Sequence, residues 1–280
     1  MSVFQPSNLA LITGGASGVG LAVAQLCLKH AMRVAIVDCN IETLELAKKT
    51  LGEKDVKTFE ADVADEEAWK GLKRDVEGEL GEVDFLMLNA GIGGKGGWGE
   101  GEYFRTILAT NLFGVINGLN TFVPTFQTRS STKPSAIVIT GSKQGITNPP
   151  GNPAYNASKA AVKVLAEHLS FDLRDTKTEV HLLVPGWTFT GLSGNSPNNP
   201  SPQPKPAGAW SPSQVADYMY TKMLEKKFYI ICPDNDVDEA TDKKRMLWSV
   251  GDVVNGRPPL TRWREEWKER CERGIGELDV

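Results

Sequence analysis

Little in this chain points to a metal, a membrane or a nucleic acid. Its 280 residues include four cysteines (Cys27, Cys39, Cys232, Cys271), far apart and without C-x-x-C spacing. They read as reduced thiols, and a cytoplasmic location is expected. The three histidines, His30, His168 and His181, do not cluster, so no metal site is expected. No uninterrupted apolar run reaches the roughly 18 residues of a membrane span. The N-terminal MSVFQPSNLALITGG lacks the basic segment and cleavage pattern of a secretory signal. Neither charge sign dominates. Lys and Arg number 31 against 35 Asp and Glu, a net charge of -4, which is a poor match to a phosphate backbone. Nucleic-acid and membrane partners are therefore not expected, and a small molecule is. No internal repeat is visible.

What is present is a rhythm. NLALITGG reads as a strand ending in glycines, LAVAQLCLKHA as a helix, RVAIVDCN as a second strand and IETLELAKKTLG as an amphipathic helix ending at Gly52. VKTFEADV is a third strand and DEEAWKGLKRDVEGELG a helix with acids in its first turn and Gly81 past its end. VDFLMLNAG is a fourth strand. One long helix is expected over YFRTILATNLFGVINGLNTFVPTF, a fifth strand at SAIVITGS and a helix from AYNASKAAVKVL onward. TEVHLLVPG and FYIICP are the sixth and seventh strands, with a helix between them that opens on Ser211 and Pro212. Strands alternating with helices, without hairpin signals, predict an α/β fold: a doubly wound, seven-stranded parallel sheet in a single domain over 1–280. Ligands in such folds bind at the carboxyl ends of the strands. Residues 191–209, GLSGNSPNNPSPQPKPAGA, fit either a linker or a mobile lid. Their place after the sixth strand favours the lid. Residues 234–280 form a polar C-terminal extension, expected as two short helices around NGRPPLTRW. Its tryptophans, Trp248, Trp263 and Trp267, are expected to dock on protein rather than bind ligand.

Two stretches carry chemistry. LITGGASGVGLAVA sets Gly14, Gly18 and Gly20 between a strand and a helix, where backbone can approach a pyrophosphate and free N–H groups face it. Asp38 ends the second strand eighteen residues after Gly20. A carboxylate there accepts hydrogen bonds from an adenosine ribose and repels a 2′-phosphate. Cys39 and Asn40 follow it rather than Arg or Lys, which favours NAD over NADP. The alternative for Asp38 is a solvated strand-end acid. Asp62 and Val63 close the third strand, where an adenine would lie, unless they form an ordinary turn.

The second stretch is AYNASKAAVKVL. Tyr155 and Lys159 are four apart and share one helix face. A free phenol has a pKa near 10, and a nearby ammonium lowers it. The pair thus suits a proton donor and its tuner, although Tyr-x-x-x-Lys alone also describes a surface pair. Ser142, thirteen residues upstream at the end of the fifth strand, could hold a substrate oxygen. Asn111 lies in a helix with apolar flanks, where asparagine is disfavoured. Bending a helix to hold a water is one reason for it.

With these pieces in order, the chain resembles the short-chain dehydrogenase/reductase family, in its non-extended branch. The matching residues are Thr13-Gly-Gly-Ala-Ser-Gly-Val-Gly20, Asp62-Val63, Asn89-Ala90-Gly91, Asn111, Ser142, Tyr155, Lys159, Pro185-Gly186 and Thr190. The resemblance implies a Rossmann fold and a nicotinamide cofactor. It implies Tyr155 as general acid/base and Lys159 as its tuner and a contact of the nicotinamide ribose. It implies Ser142 as the holder of the reacting oxygen and Asn111 as the anchor of a relay water. Thr13, Gly14, Ser17, Gly18, Val19, Gly20, Asp38, Asp62, Val63, Asn89, Ala90, Gly91, Pro185, Gly186, Thr188 and Thr190 would line the cofactor. A homodimer or homotetramer through the helices carrying Asn111 and Tyr155 is also implied.

There are departures. Thr188 stands where the family often has isoleucine or valine, and the loop GIGGKGGWGEG is unusually rich in glycine. Trp98, Gln144, Trp187, Phe189 and Trp210 fall near the strand ends. They are the candidate substrate contacts, with local packing as the alternative for the aromatic residues. If they line the pocket, the substrate is a secondary alcohol or ketone on a cyclic or aromatic body. A non-redox enzyme and a nucleotide-sensing protein are the rival readings. Each would be signalled by a broken catalytic set, and here the set is intact.

Overall fold

The computed structural model describes residues 2–129, 133–193 and 203–280. Along the chain run β1 (Leu9–Thr13), α1 (Gly18–Lys29), β2 (Arg33–Asp38), α2 (Ile41–Leu51), β3 (Val56–Glu60), α3 (Glu66–Leu80) and β4 (Phe85–Leu88). Then come α4 (Gly101–Leu108), a π-helical turn (Ala109–Phe113), α5 (Gly114–Thr128), β5 (Ser135–Thr140), α6 (Gln144–Thr147) and α7 (Pro153–Asp172). After these follow β6 (Thr178–Val184), α8 (Pro212–Leu224), β7 (Tyr229–Ile231), α9 (Glu239–Val254) and α10 (Lys268–Glu277). Side chains set several helix ends. Asn40 and Asp65 accept the Thr43 and Glu67 N–H groups at the starts of α2 and α3. Ser211 and Gln214 form a reciprocal capping box at α8.

The sheet order is β3-β2-β1-β4-β5-β6-β7, and every neighbouring pair is parallel. This is the doubly wound, seven-stranded sheet that the alternation predicts. The order reverses between β1 and β4, which opens a crevice at their carboxyl ends. Alternate residues of each strand feed two cores. Ala10, Ile12, Ile36, Met87 and Val138 pack under α1 and α8. Leu9, Leu11, Val37, Leu86 and Ile139 pack under α3, α5 and α7 through Trp69, Phe122 and Val162. Because both faces are covered, the central strands are apolar throughout rather than alternating.

Three details differ from the sequence reading. β3 ends at Glu60, so Asp62 and Val63 belong to the following turn. The long helix is broken in pitch by a π turn centred on Asn111. The tail begins with a helix of 16 residues, not a short one. It packs on α6, and α10 packs on it. Trp248 is buried in the tail itself, and its Nε1 donates to Thr261 Oγ1 at 2.9 Å.

The continuous helix Gly101–Thr128 is long and apolar enough, by length and composition, to cross a membrane. Here one face of it packs into the core. Val115, Phe122 and Phe126 are buried in the second core, and Asn117 donates to the Val63 carbonyl at 3.2 Å.

Candidate active site

The crevice is floored by the loop after β1. Gly14 (φ +61°) and Gly18 (φ +52°) adopt left-handed backbone, which side chains disfavour. A Cβ on Gly14 would come within 2.9 Å of Ala90 Cα, and one on Gly20 would collide with the Gly14 carbonyl. The glycines therefore serve loop–loop packing as well as any approach to a ligand. Ser17 precedes α1 with its hydroxyl unused as a cap. The first-turn N–H groups of α1, which starts at Gly18, have no partner within the helix and stand at the positive end of its dipole. Val19 packs at the edge of the first core. Thr190 is brought beside this loop, 3.2 Å from where a Gly18 Cβ would stand.

Asn89 has a bracing role that the sequence did not reveal. Its Nδ2 donates to the Thr13 carbonyl at 3.1 Å, and its Oδ1 accepts from Thr140 Oγ1 at 3.2 Å. Thr13 Oγ1 accepts the Asn89 and Ala90 N–H groups at 2.9 and 3.1 Å. The ends of β1, β4 and β5 are thus tied together.

Asp38 ends β2 in register with Glu60 of β3. Burial pushes its carboxyl up, and N–H groups of Asn40, Ala16 and Cys39 oppose that. The Cys39 thiol is also pushed up, by burial and then by Asp38, Asp62 and Glu60. This corner of the crevice is acidic. Asp62 Oδ1 accepts the Ala64 N–H at 2.9 Å. The Val63 carbonyl accepts Trp69 Nε1 at 2.9 Å. The pair is therefore a built turn at the crevice edge.

At the other end, Tyr155 and Lys159 stand on α7. Lys159 is buried, its Nζ 5.8 Å from the Tyr155 ring centroid and donating to the Thr140 carbonyl at 2.9 Å. Burial pushes its pKa down to about 8. The Tyr155 phenol is pushed up by burial, and its hydrogen bond with Ser142 acts the other way. Ser142 Oγ also accepts the Gln144 N–H at 3.2 Å, which fixes the hydroxyl at the start of α6. Close approach of α6 to α7 depends on Gly145, where a Cβ would sit 2.5 Å from the Lys159 carbonyl carbon.

Asn111 brackets the backbone of Ile92. Its Oδ1 accepts the Ile92 N–H at 2.8 Å, and its Nδ2 donates to the Ile92 carbonyl at 2.9 Å. The side-chain amide is thus spent on the loop after β4. The π turn that carries Asn111 is closed by the Gly114 N–H on the Ala109 carbonyl. Gly91 lies between the two groups. A Cβ on it would be 3.3 Å from Asn111 Oδ1 and 3.6 Å from Lys159 Nζ.

The aromatic candidates separate. Trp98 is 84% exposed and stacks on Phe104, and Trp187 is 47% exposed. Trp210 instead turns inward against the first core and Tyr218, so it is a packing anchor. Its backbone pairs with the segment after Gly186. Phe189 N–H donates to the Trp210 carbonyl, and Trp210 N–H to the Trp187 carbonyl, both at 2.9 Å. Thr188 Oγ1 donates to the Gly186 carbonyl at 3.1 Å. Leu192 reaches the glycine-rich loop, 3.4 Å from where a Gly93 Cβ would lie. Residues 194–202 of the expected lid lie outside the described residues. Sequence reasoning missed Lys143, Asp234 and Asp242, which meet behind Ser142.

The arrangement puts a hydroxyl pair, Ser142 and Tyr155, opposite a glycine-rich helix start, with a buried amine below. Such a set can hold a carbonyl or alcohol oxygen and exchange a proton with it. The model of the short chain dehydrogenase family matches residues 8–201. The chain belongs to the short-chain dehydrogenase/reductase family. The NADP-dependent (R)-specific alcohol dehydrogenase of Lentilactobacillus kefiri is 31% identical over 66% of this chain and 75% of its own. The 1-deoxy-11-beta-hydroxypentalenate dehydrogenase of Streptomyces avermitilis is 28% identical over 87% of this chain and 91% of its own. A short-chain dehydrogenase/reductase from Burkholderia phymatum, solved with NAD, superposes with a TM-score of 0.80 at 26% identity. That match covers 92% of this chain and 98% of the other. As a family member the chain is an oxidoreductase with a nucleotide-binding Rossmann fold.

Proposed function

We propose that this protein is an NAD-dependent dehydrogenase or ketoreductase that interconverts a secondary alcohol and a ketone on a cyclic or aromatic apolar body. The meeting of the Tyr155 phenol with the Ser142 hydroxyl, with the buried Lys159 Nζ 5.8 Å from the Tyr155 ring centroid, supports the reading. When bound, the nicotinamide supplies or accepts the hydride. The chain's own residues do the rest. Ser142 orients the reacting oxygen, and Tyr155 gives or takes its proton. Lys159, as ammonium, favours the phenolate against the burial that opposes it. Asn111, through Ile92, holds the loop that walls the site, and the bend around it is where a relay water would be bound.

Gly14, Ser17, Gly18, Val19, Gly20 and Thr190 would cradle the pyrophosphate, with Asn89–Gly91 beside the adenosine. The acidic corner of Asp38, Glu60 and Asp62 supports NAD, because a 2′-phosphate there would meet like charge. The Lentilactobacillus relative is named NADP-dependent, so cofactor choice is the first property to measure. Trp98, Trp187, Phe189 and Gln144 are the remaining substrate contacts in this proposal. The exposed Phe113, Val164 and Phe171 on the long helices support a homodimer or homotetramer. The proposed location is the cytoplasm.

Fluorescence titration with NADH and NADPH tests the cofactor, with tighter NADH binding expected. Tyr155→Phe should retain NADH binding and lose roughly 100-fold or more of turnover. Unimpaired turnover would remove Tyr155 from the mechanism.

A further inference from the structure

Resting on the oxidoreductase reading, we propose that Lys143, Asp234 and Asp242 form a buried ionic clamp that positions Ser142, and that the C-terminal extension is thereby part of the active site. Lys143 is the residue between Ser142 and Gln144. Its Nζ pairs with Asp234 Oδ2 at 3.3 Å and with Asp242 of α9. The three side chains are only 15%, 9% and 4% exposed. Surface pairs contribute little to stability, but a desolvated one holds its partners in place, because separating them strands a charge.

The clamp joins three neighbouring strand ends. Lys143 follows β5, Gly186 follows β6 and Asp234 follows β7. Asp234 Oδ2 also accepts the Trp187 N–H at 3.3 Å. Gly186 lies directly under the pair. A Cβ on it would come 2.8 Å from Lys143 Nζ and 3.0 Å from Asp234 Oδ2. One cluster thus fixes the loop carrying Ser142 and the loop leading to Thr188 and Thr190. Asp242 reaches it only because α9 packs on α6. Lys143, Asp234 and Asp242 touch none of the reacting groups, so they are positioning residues. The tail acts on the chemistry through them.

Lys143→Met strands two carboxylates and risks failing to fold. Asp242→Asn leaves one lysine facing one aspartate and is the deciding variant. Hydrogen exchange of the full-length variant is read in segments 141–148 and 185–190, with 14–22 as the internal control. Exchange in the first two is expected to quicken by roughly tenfold or more, with 14–22 unchanged. Turnover of 1-phenylethanol with NAD should fall roughly 10- to 100-fold while NADH still binds. In the conservative exchange, Lys143→Arg, turnover should stay closer to wild type than in Asp242→Asn. Unchanged exchange in both loops, or equal acceleration in 14–22, would overturn the clamp. If the wild-type protein oxidises neither 1-phenylethanol nor other secondary alcohols, the secondary-alcohol reading fails. The exchange comparison still decides the clamp.

Discussion

Lys159→Met should make the nucleotide-free protein more stable at neutral pH while abolishing its turnover. The ammonium is buried, and burial brings its pKa from the ordinary 10.5 down to about 8. At pH 7 both folded and unfolded chains carry the charge, so folding bears the full desolvation cost. Each tenfold change in proton affinity is worth about 1.4 kcal/mol, so that cost is about 3 kcal/mol. Above pH 8 the folded state releases its proton while the unfolded state keeps it until about pH 10.5. The unfolded state then binds more protons, and wild-type stability from this group rises with pH. The cost falls to about 2 kcal/mol at pH 9 and to about 1 kcal/mol at pH 10. Methionine removes the cost but also the bond to the Thr140 carbonyl, which restores about 1–3 kcal/mol of penalty. The net gain at pH 7 is therefore about 0–2 kcal/mol, but its pH dependence does not involve that bond. Urea unfolding of both proteins from pH 7 to pH 9 should show the difference moving by about 1 kcal/mol in favour of the wild type. A difference that stays flat with pH would mean that the ammonium is not desolvated. The account of the Tyr155–Lys159 pair would then fail.

Gly20→Ala should abolish NADH binding and lower the unfolding free energy by about 1–3 kcal/mol, since the new methyl meets the Gly14 carbonyl. Calorimetry beside a fluorescence titration checks both. Asp38→Asn should narrow the preference for NADH over NADPH by roughly tenfold, because one negative charge leaves the acidic corner. An unchanged ratio of dissociation constants would assign the discrimination elsewhere. Phe122→Ala, far from the crevice, should cost about 3–5 kcal/mol without altering cofactor preference, as denaturant midpoints and titration would show. Light scattering on a sizing column should give a dimer or tetramer, and a lone monomer would refute assembly through the helices bearing Phe113 and Phe171.

Much of the fold was legible because its signals are local. Strand and helix alternate with their own periods, Gly52 and Gly81 stop two helices, and Ser211 with Pro212 starts another. The spacing of Gly14, Gly18 and Gly20 and of Tyr155 and Lys159 also needs only one turn or one helix face to be read. Even the oddity of Asn111 was visible, as an amide in an apolar helix. Its partner was not, because Ile92 lies 19 residues away and is met only after the loop folds back.

The sequence by itself determined the class of sheet, the glycine-rich turn between β1 and α1 and the shared helix face of Tyr155 and Lys159. Tertiary structure alone decided that Asn89 braces three strand ends, that Trp210 faces the core and that Lys143 meets Asp234 across 91 positions. The physical reason is range. Backbone preference acts over a few residues, whereas a buried charge or amide finds its partner by strand order. That order places the ends of β5, β6 and β7 side by side.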